Sequence, residues 1–319
     1  MELPAALRAA VDRALEGVPL AELQRAADTL SARYRAEVRD GRLHLSDEIF
    51  ARAYLATRLP ATFAAVRASL ESAAELMPDF APNTLLDVGA GPGTALWAAA
   101  DCWPSLASAR MLEASPSIRK VGEALSAHAG LDSIEWTVAD ASKAIEAGKA
   151  DLVTLAYVLD ELSPSEGQAL IGRLWAATEG LLVIVEPGTP AGWKRVMAVR
   201  EQLVAQGAHL VAPCPHSKPC PLIEPDWCHF SRRVARSRLH RLTKRGDVPW
   251  EDEKYIFLAA SRQPAEAFGA RVLAPAHGGS GKVGLKLCLA DGSAEEKLVT
   301  KRDGDLFKRA RRADWGDIL

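Results

Sequence analysis

Residues 85–94, LLDVGAGPGT, decide the fold, because a short apolar strand pattern runs into a glycine-rich turn and then into a helical pattern. Glycines let the backbone turn sharply and approach a ligand, and the start of the following helix offers free N–H groups. Dinucleotide folds use similar glycines. Here Pro92 breaks that spacing, and Thr94 stands where the third glycine would fall. The stretch therefore predicts a nucleotide-binding loop that differs from the dinucleotide-binding type.

Outward from this loop, short apolar runs alternate with helical patterns over residues 81–206. The predicted strands are Thr84–Val88, Ala109–Glu113, Ile134–Val138, Leu152–Tyr157 and Leu181–Val185. The predicted helices lie near 94–102, 116–128, 141–147, 164–177 and 190–206. This alternation predicts an α/β fold with a parallel sheet and helices on both faces.

Together with its flanking segments, the α/β pattern predicts that the chain has three regions. Residues 1–80 read as a helical N-terminal region, with a helix start at Ser46-Asp47-Glu48. Residues 81–262 form the α/β domain, which carries a Cys- and Pro-rich insertion at 207–230 and a later strand near Tyr255–Ala260. Residues 263–319 read as a small C-terminal β-rich module with a basic tail.

Composition indicates a globular chain without a membrane span. The 319 residues are 48% hydrophobic and 25% charged, with a net charge of −2, the usual range for folded soluble proteins. No apolar run approaches the ~18 residues of a membrane helix. The start of the chain lacks the basic and apolar segments of a targeting signal, so we expect a cytosolic protein. Residues 201–319 carry 20 basic and 15 acidic side chains, which suggests an anionic partner.

The pattern Asp87-x-Gly89-x-Gly91-x-Gly93 resembles the first motif of class I S-adenosylmethionine-dependent methyltransferases. The resemblance implies a Rossmann-like core in which the three glycines wrap the cofactor. It also implies that an acidic residue ending the second strand, here Glu113, binds the ribose hydroxyls, since carboxylates accept from vicinal hydroxyls. Asp140, after the third strand, is expected to meet the adenine amine.

The end of the fourth predicted strand gives no catalytic residue. Residues 155–161 read LAYVLDE, without the Asn/Asp-Pro-Pro-Tyr/Phe tetrapeptide of base-amine methyltransferases and without a cysteine. Asp160 or Glu161 is able to take a proton, and capping of the next helix is an equal alternative. Glu186-Pro187-Gly188, ending the fifth strand, is a candidate pocket wall.

Four cysteines form a candidate metal set. Cys214, Cys220 and Cys228 follow a C-x5-C-x7-C spacing, and Cys288 lies 60 residues further on. Spacing alone leaves three alternatives: free thiols, a zinc site or an iron–sulfur cluster. His216 and His229 are substitute ligands. The fifth cysteine, Cys102, reads as a buried small apolar residue.

Together these motifs resemble the methyltransferase-like small-subunit ribosomal assembly proteins of bacteria and mitochondria. The motifs that carry the resemblance are residues 86–93, Glu186-Pro187-Gly188, Cys214-Pro215-His216 with Cys220-Pro221, Trp227-Cys228-His229-Phe230 and Trp315-Gly316-Asp317. The resemblance implies a 4Fe–4S cluster on Cys214, Cys220, Cys228 and Cys288, and binding to the small ribosomal subunit and its rRNA. Methyl transfer stays open. The alternatives are a non-catalytic assembly factor with a vestigial pocket and a small-molecule methyltransferase with a zinc site.

A basic stretch follows the cysteines. Residues 231–246 contain seven Lys or Arg side chains and no acidic residue, namely Arg232, Arg233, Arg236, Arg238, Arg241, Lys244 and Arg245, with His240 among them. The tail carries four more basic residues, Lys308, Arg309, Arg311 and Arg312. Such segments attract phosphate backbones. We therefore expect RNA, and neither DNA nor a membrane, as the partner, on a surface that the metal-bound loop organises.

Overall fold

A computed structural model describes residues 1–35, 47–143 and 148–319. Within these residues, four helices precede the first strand, and further helices alternate with the strands. The described helices are α1 Ala5–Leu15, α2 Leu20–Arg35, α3 Glu48–Thr57, α4 Leu59–Ala74, α5 Thr94–Cys102, α6 Pro116–Ser126, α7 Pro164–Ala177, α8 Pro190–Ala205, α9 Arg238–Lys244 and α10 Asp305–Ala310, with a short 3₁₀ turn at Lys301–Asp303.

Eight strands form one large, mostly parallel sheet. They are β1 Thr84–Val88, β2 Ser108–Glu113, β3 Ser133–Val138, β4 Ala150–Ala156, β5 Thr178–Pro187, β6 His209–Ala212, β7 Phe230–Ala235 and β8 Trp250–Ser261. Their order is β3-β2-β1-β4-β5-β8-β6, with β7 also paired to β8. The strands β1 to β5 run parallel, whereas β8 is antiparallel to β5. The 3-2-1-4-5 order is that of a Rossmann-like sheet, as expected from the sequence.

A smaller antiparallel sheet follows, built from β9 Ala270–Val272, β10 His277–Gly279, β11 Lys282–Leu289 and β12 Ala294–Thr300. Its apolar side, including Val272 and Leu285, forms a second core with Phe307 of α10. The end of the chain is fastened to β9, because Ala270 and Leu319 exchange backbone hydrogen bonds of 3.0 Å. The C-terminal β-rich region therefore has apolar packing of its own.

The sequence pattern predicted most elements within a few residues, and the differences have local causes. The expected helix at 141–147 is turn over 141–143, and 144–147 lie outside the described residues. Ser46 also lies outside them, and α3 begins at Glu48 with Asp47 as its N-cap. Strand β6 was not predicted, because its four residues are too few to show alternation. The division into three domains, at residues 1–80, 81–262 and 263–319, stays a prediction.

The N-terminal helices are joined to the large sheet by one continuous core. Leu7, Leu23 and Leu30 belong to the same buried cluster as the sheet residues Leu86 and Val153. None of the described helices is long and apolar enough to cross a membrane. The helical region therefore packs on the α/β unit rather than forming an isolated bundle, with α4 against α5 and β8 and with α2 and α3 against α9.

Candidate functional site

The glycine loop lies at the carboxyl end of β1, the central strand between β2 and β4. Gly89, Gly91 and Gly93 all have positive φ, at 67°, 55° and 82°, a conformation that side chains other than glycine rarely adopt. The amides of Gly89 and Ala90 donate to Leu112 O at 2.9 and 3.0 Å. A Cβ at Gly91 would meet no atom within 4 Å, so the loop faces open space there.

Glu113 lies at the end of β2, next to the glycine loop, as the strand pattern predicted. Its Oε2 accepts from the Gly91 amide at 2.8 Å and its Oε1 from the Ser115 amide at 2.7 Å. Burial raises the pKa of Glu113, against these two hydrogen bonds. A carboxylate offers about four lone-pair positions, so capacity for ribose hydroxyls remains beside the two backbone donors.

Asp87 is almost fully buried, just before the loop. Thr154 donates from Oγ1 to Asp87 Oδ1 at 2.7 Å, and Asp87 Oδ2 has no hydrogen-bond partner within the described residues. Burial raises the pKa of Asp87 to about 7, opposed by the Thr154 hydrogen bond. An acid with one open oxygen beside a glycine loop suits a site that receives a donor or a cation.

Asp140 behaves differently, because it follows the edge strand β3 and is largely exposed. Its Oδ1 accepts from the amide and the hydroxyl of Ser142 at 2.9 and 2.7 Å. The Ser142 hydroxyl is the main reason why the pKa of Asp140 is lowered. The side chain therefore stabilises its own turn, whereas Glu113 is hydrogen-bonded directly to the glycine loop.

The end of β4 carries a strained tyrosine. Tyr157 has φ of 59°, unusual for an aromatic residue, and donates from its hydroxyl to Glu253 Oε1 at 3.0 Å. Val158 lies directly over the loop, where it would clash with a Cβ at Gly89. The next helix, α7, is capped by Ser163 with Glu166 in a capping box. Neither Asp160 nor Glu161 is therefore the helix cap.

Glu186, at the end of β5, is fully buried. It accepts from the Leu159 amide at 3.1 Å and from Arg195 Nε at 2.8 Å. Burial, with the charge of Asp160, raises the pKa of Glu186 to about 8, against the effect of Arg195. Glu186 thus fixes the segment after β4, and the role of Glu186-Pro187-Gly188 as a pocket wall stays a prediction.

The cysteine-rich loop, residues 213–229, connects β6 to β7 and lies against the small sheet. Three side-chain contacts join the loop to that sheet or its turn. His216 Nε2 is 3.5 Å from Cys288 Sγ, Lys218 Nζ donates to Asp291 O at 2.8 Å, and Lys286 forms a salt bridge with Asp226 at 2.5 Å. Cys288 on β11, remote in sequence, is therefore beside the loop of the other three cysteines.

The four thiols lie close enough to interact electrostatically. Burial raises the pKa of Cys228 well above its ordinary value, and the charges of Cys214, Cys220 and Cys288 raise it further. Burial likewise raises the pKa of Cys288 to about 12, with contributions from Cys214 and Cys220. Within the described ranges no three His, Cys, Asp or Glu side chains are grouped as a ready metal site. The donor set itself, four thiols around one buried region, fits a thiolate-bound metal group.

Aromatic side chains border the thiol region. The His229 ring stacks on Trp227 at 5.1 Å and meets Trp315 edge-on at 4.7 Å. Trp227 Nε1 donates to Gly188 O at 3.1 Å, which links the cysteine loop to the wall after β5. The Trp-Gly-Asp motif at the end of the chain is thus part of the same region. Cys102 lies apart, half-buried at the end of α5.

The basic stretch is largely neutralised, a feature that reading the segment alone missed. It forms β7 and α9, and the neighbouring β8 supplies acidic side chains. Arg233 binds Asp252 through two hydrogen bonds of 2.9 and 3.1 Å. Arg236 and Lys244 both bind Glu251, at 2.8 and 2.9 Å. Residues 251–253 are Glu-Asp-Glu and lie just beyond the stretch in the sequence. They pair with β7, so this acidic run was the signal that the sequence offered.

Some cations keep no such partner. Arg238 and Arg241 form no salt bridge with any described residue, and Arg245 pairs with Asp28 of α2 at 3.0 Å. In the tail, Lys308 pairs with Asp305 at 2.8 Å, and an exposed set follows it, Arg309, Arg311 and Arg312. The surface available to a phosphate backbone is therefore smaller than the count of basic residues indicates.

The sheet order, the glycine loop and the carboxylates at the strand ends define the chain as a protein of the class I methyltransferase fold. A family model described as "Mitochondrial small ribosomal subunit Rsm22" matches residues 48–319. The chain belongs to this family. It is 31% identical over 290 residues to the human "Ribosome assembly protein METTL17, mitochondrial", covering 83% of this chain and 61% of that protein.

A second relative is the Schizosaccharomyces pombe "Rsm22-cox11 tandem protein 2, mitochondrial", 24% identical, covering 74% of this chain and 38% of the relative. The chain thus spans less than two thirds of the length of the first relative and well under half of the second. Among solved structures, an O-methyltransferase family protein from Burkholderia thailandensis is similar at TM-score 0.48 and 17% identity, over 77% of this chain and 72% of that one. Magnesium protoporphyrin IX methyltransferase from Synechocystis gives 0.41 and 15%, over 76% and 100%.

Proposed function

We propose that this chain is a cytosolic, methyltransferase-like ribosome assembly protein that binds the small ribosomal subunit through its rRNA and holds a 4Fe–4S cluster. Family membership and the human relative's name support the ribosomal role. The single observation that carries the cluster is the position of Cys288 beside the loop of Cys214, Cys220 and Cys228. These four thiols would be the ligands.

The cluster would act by holding structure together. When bound, it supplies four metal–thiolate bonds, which contribute to folding free energy. The chain's own residues do the rest: the Pro-rich loop leaves β6, meets β11 at Cys288 and continues into β7. Because β7 begins at Phe230, two residues after Cys228, a fixed loop also fixes the start of the basic segment that we propose contacts RNA.

We further propose that the glycine loop binds S-adenosylmethionine. When bound, this cofactor supplies an activated methyl group. Gly89, Gly91 and Gly93 would shape the loop around it, with Asp87 behind them, Glu113 would hold the ribose, and Asp140 would be nearest the adenine. The chain would contribute mainly positioning of the two reactants, since no described residue is identified as a base.

A non-catalytic assembly factor is the second candidate, favoured by two specific observations. Glu113 already accepts two backbone amides, and Val158 lies over Gly89, so two residues expected to meet the cofactor already contact other groups of the chain. Calorimetric titration with S-adenosylmethionine, followed by mapping of rRNA methylation in a deletion strain, distinguishes the two candidates. Lost methylation supports the enzyme; binding without lost methylation, or no binding, supports the assembly factor.

The ribosomal proposal is tested by anaerobic co-sedimentation with small ribosomal subunits. We expect the wild-type chain to co-sediment, and Cys288→Ser to do so several-fold less, because the loop before β7 is released. Cys102→Ser is the matched control, since that thiol lies outside the set. Absence of the wild-type chain from the subunit fraction, or equal binding by Cys288→Ser, would contradict the proposal.

A further inference from the structure

Two buried arginines border the thiol region. Arg200 of α8 and Arg271 of β9 are each only 3% exposed. Arg271 lies directly opposite Cys288 in the antiparallel register of β9 and β11. Burial lowers the pKa of Arg271, yet a guanidinium does not lose its proton in a protein. Two positive charges are therefore enclosed beside four thiols.

Both arginines are bound to the backbone around the cysteines. Arg271 donates from Nε to Pro213 O at 3.0 Å and from Nη1 to Gly316 O at 2.7 Å. Arg200 donates from Nη2 to His216 O at 2.9 Å and to Lys218 O at 2.6 Å. These bonds hold each guanidinium in place next to the loop.

Neither arginine lies within salt-bridge distance of an acidic side chain in the part of the chain that the structure describes. No salt bridge involves Arg200 or Arg271 there, and two of their N–H groups, at Arg271 Nη2 and Arg200 Nε, are buried without an acceptor. An enclosed charge without a counter-charge is strongly unfavourable. The strongest electrostatic neighbours are thiols, since Arg271 interacts first with Cys228 and Cys214 and less with Glu75, and Arg200 interacts with Cys220 and Cys288.

Neutral thiols supply no charge to offset these arginines, whereas thiolates bound to metal do. Four thiolates around a metal core of lower positive charge leave a net negative group, and its sulfur atoms accept hydrogen bonds. We propose that Arg200 and Arg271 are positioning residues for this group: they neutralise its charge and donate their open N–H groups to it. This inference rests on the proposed cluster.

The test compares Arg200→Gln and Arg271→Gln with the wild-type chain after anaerobic reconstitution with iron and sulfide. Arg262→Gln is the matched control, because Arg262 also donates to two backbone carbonyls, of Thr178 and Trp175, and interacts with no cysteine. The readouts are iron per chain and the reduction potential. Removing a nearby positive charge disfavours the reduced, more negative cluster. We expect at least a tenfold shift of that equilibrium toward the oxidised form in each variant, about 59 mV for one electron, and none in the control.

If the glutamine variants fold poorly, Arg271→Lys still tests the proposal. Because the charge is retained, its potential should lie close to that of the wild-type chain, whereas a purely structural role predicts equal effects of Lys and Gln. A wild-type chain that holds iron, with unshifted potentials in all arginine variants, would overturn this inference alone. A wild-type chain that binds no iron would overturn the cluster proposal and this inference together.

Discussion

The glycine loop and the cysteine loop border the same sheet, yet the chain satisfies the backbone amides of the first far better than the buried charges of the second. Around the glycine loop, the amides of residues 89–91 find acceptors on Leu112 and Glu113. Around the cysteine loop, neighbouring thiols raise the pKa of the buried Cys228, and two buried guanidinium groups form no salt bridge within the described residues and each keep an N–H group without an acceptor. A site satisfied by its own chain tolerates the loss of a ligand, whereas a site with enclosed, unbalanced groups depends on one.

The largest expected effect is on the cysteine loop. Structural metal–thiolate sites contribute of order 10 kcal/mol in small domains, so Cys228→Ser should lower the melting temperature of the anaerobic, metal-loaded protein far more than Cys102→Ser does. Addition of a strong chelator to the wild-type chain should lower it in the same way. Equal melting of the two serine variants and of the chelated protein would break the contrast between the loops.

The next effect tests the glycine loop through pH. The pKa of Asp87 is 3.8 in an ordinary setting and about 7 when buried here. Between these values the folded chain keeps a proton that the unfolded chain has lost, so this group's contribution to stability falls as pH rises, by of order 4 kcal/mol. Asp87→Asn stays neutral and still accepts from Thr154. It should be more stable than the wild type at pH 8, with an advantage that shrinks toward pH 5 in denaturant titrations. A constant difference would exclude Asp87 as the cause.

A smaller effect concerns the fit of Val158 over the loop. Gly89→Ala forces a positive φ on alanine and a clash with Val158, and we expect a loss of about 1–3 kcal/mol. Gly17→Ala is the control, because Gly17 has a similar φ of 74° but nothing within 4 Å of the added Cβ. Its loss should be only that of the backbone strain. If both variants lose the same free energy of unfolding, the packing of Val158 on the loop is unimportant.

The smallest effect distinguishes free cations from paired ones. Arg238 has no described ionic partner, whereas Arg233 holds Asp252 with two hydrogen bonds. If the segment contacts phosphates, Arg238→Ala should reduce the slope of log affinity against log salt by about 1. Arg233→Ala should change it less. RNA-binding isotherms at several salt concentrations measure both slopes, and equal slopes in the two variants would remove the distinction.

The sequence predicted the strands of the large sheet well, because buried parallel strands are continuous apolar runs that end in turn residues. It also predicted Glu113 beside the loop, since neighbouring parallel strands end at the same edge. It did not predict how Glu113 is used, because backbone acceptors depend on the exact path of the loop. The neutralised basic stretch was missed for a related reason: Glu251 and Asp252 reach β7 only through strand pairing, which local composition does not reveal.

The cysteine set illustrates what spacing alone leaves open. The run from Cys214 to Cys228 indicated metal ligation but not the metal, and nothing local linked it to Cys288. That link depends on the placement of β11 against the loop, where His216 meets Cys288. The family resemblance already implied Cys288 as the fourth ligand, but its placement beside the loop is a tertiary property that only the structure gives.

Iron and acid-labile sulfide analysis of the anaerobically purified chain tests the central claim most directly. A 4Fe–4S cluster on four cysteines predicts about four iron and four sulfide per wild-type chain, with a broad visible absorbance, and near-complete loss of both in Cys288→Ser but not in Cys102→Ser. A wild-type chain free of iron and sulfide after reconstitution, or a Cys288→Ser variant that keeps both, would contradict the account.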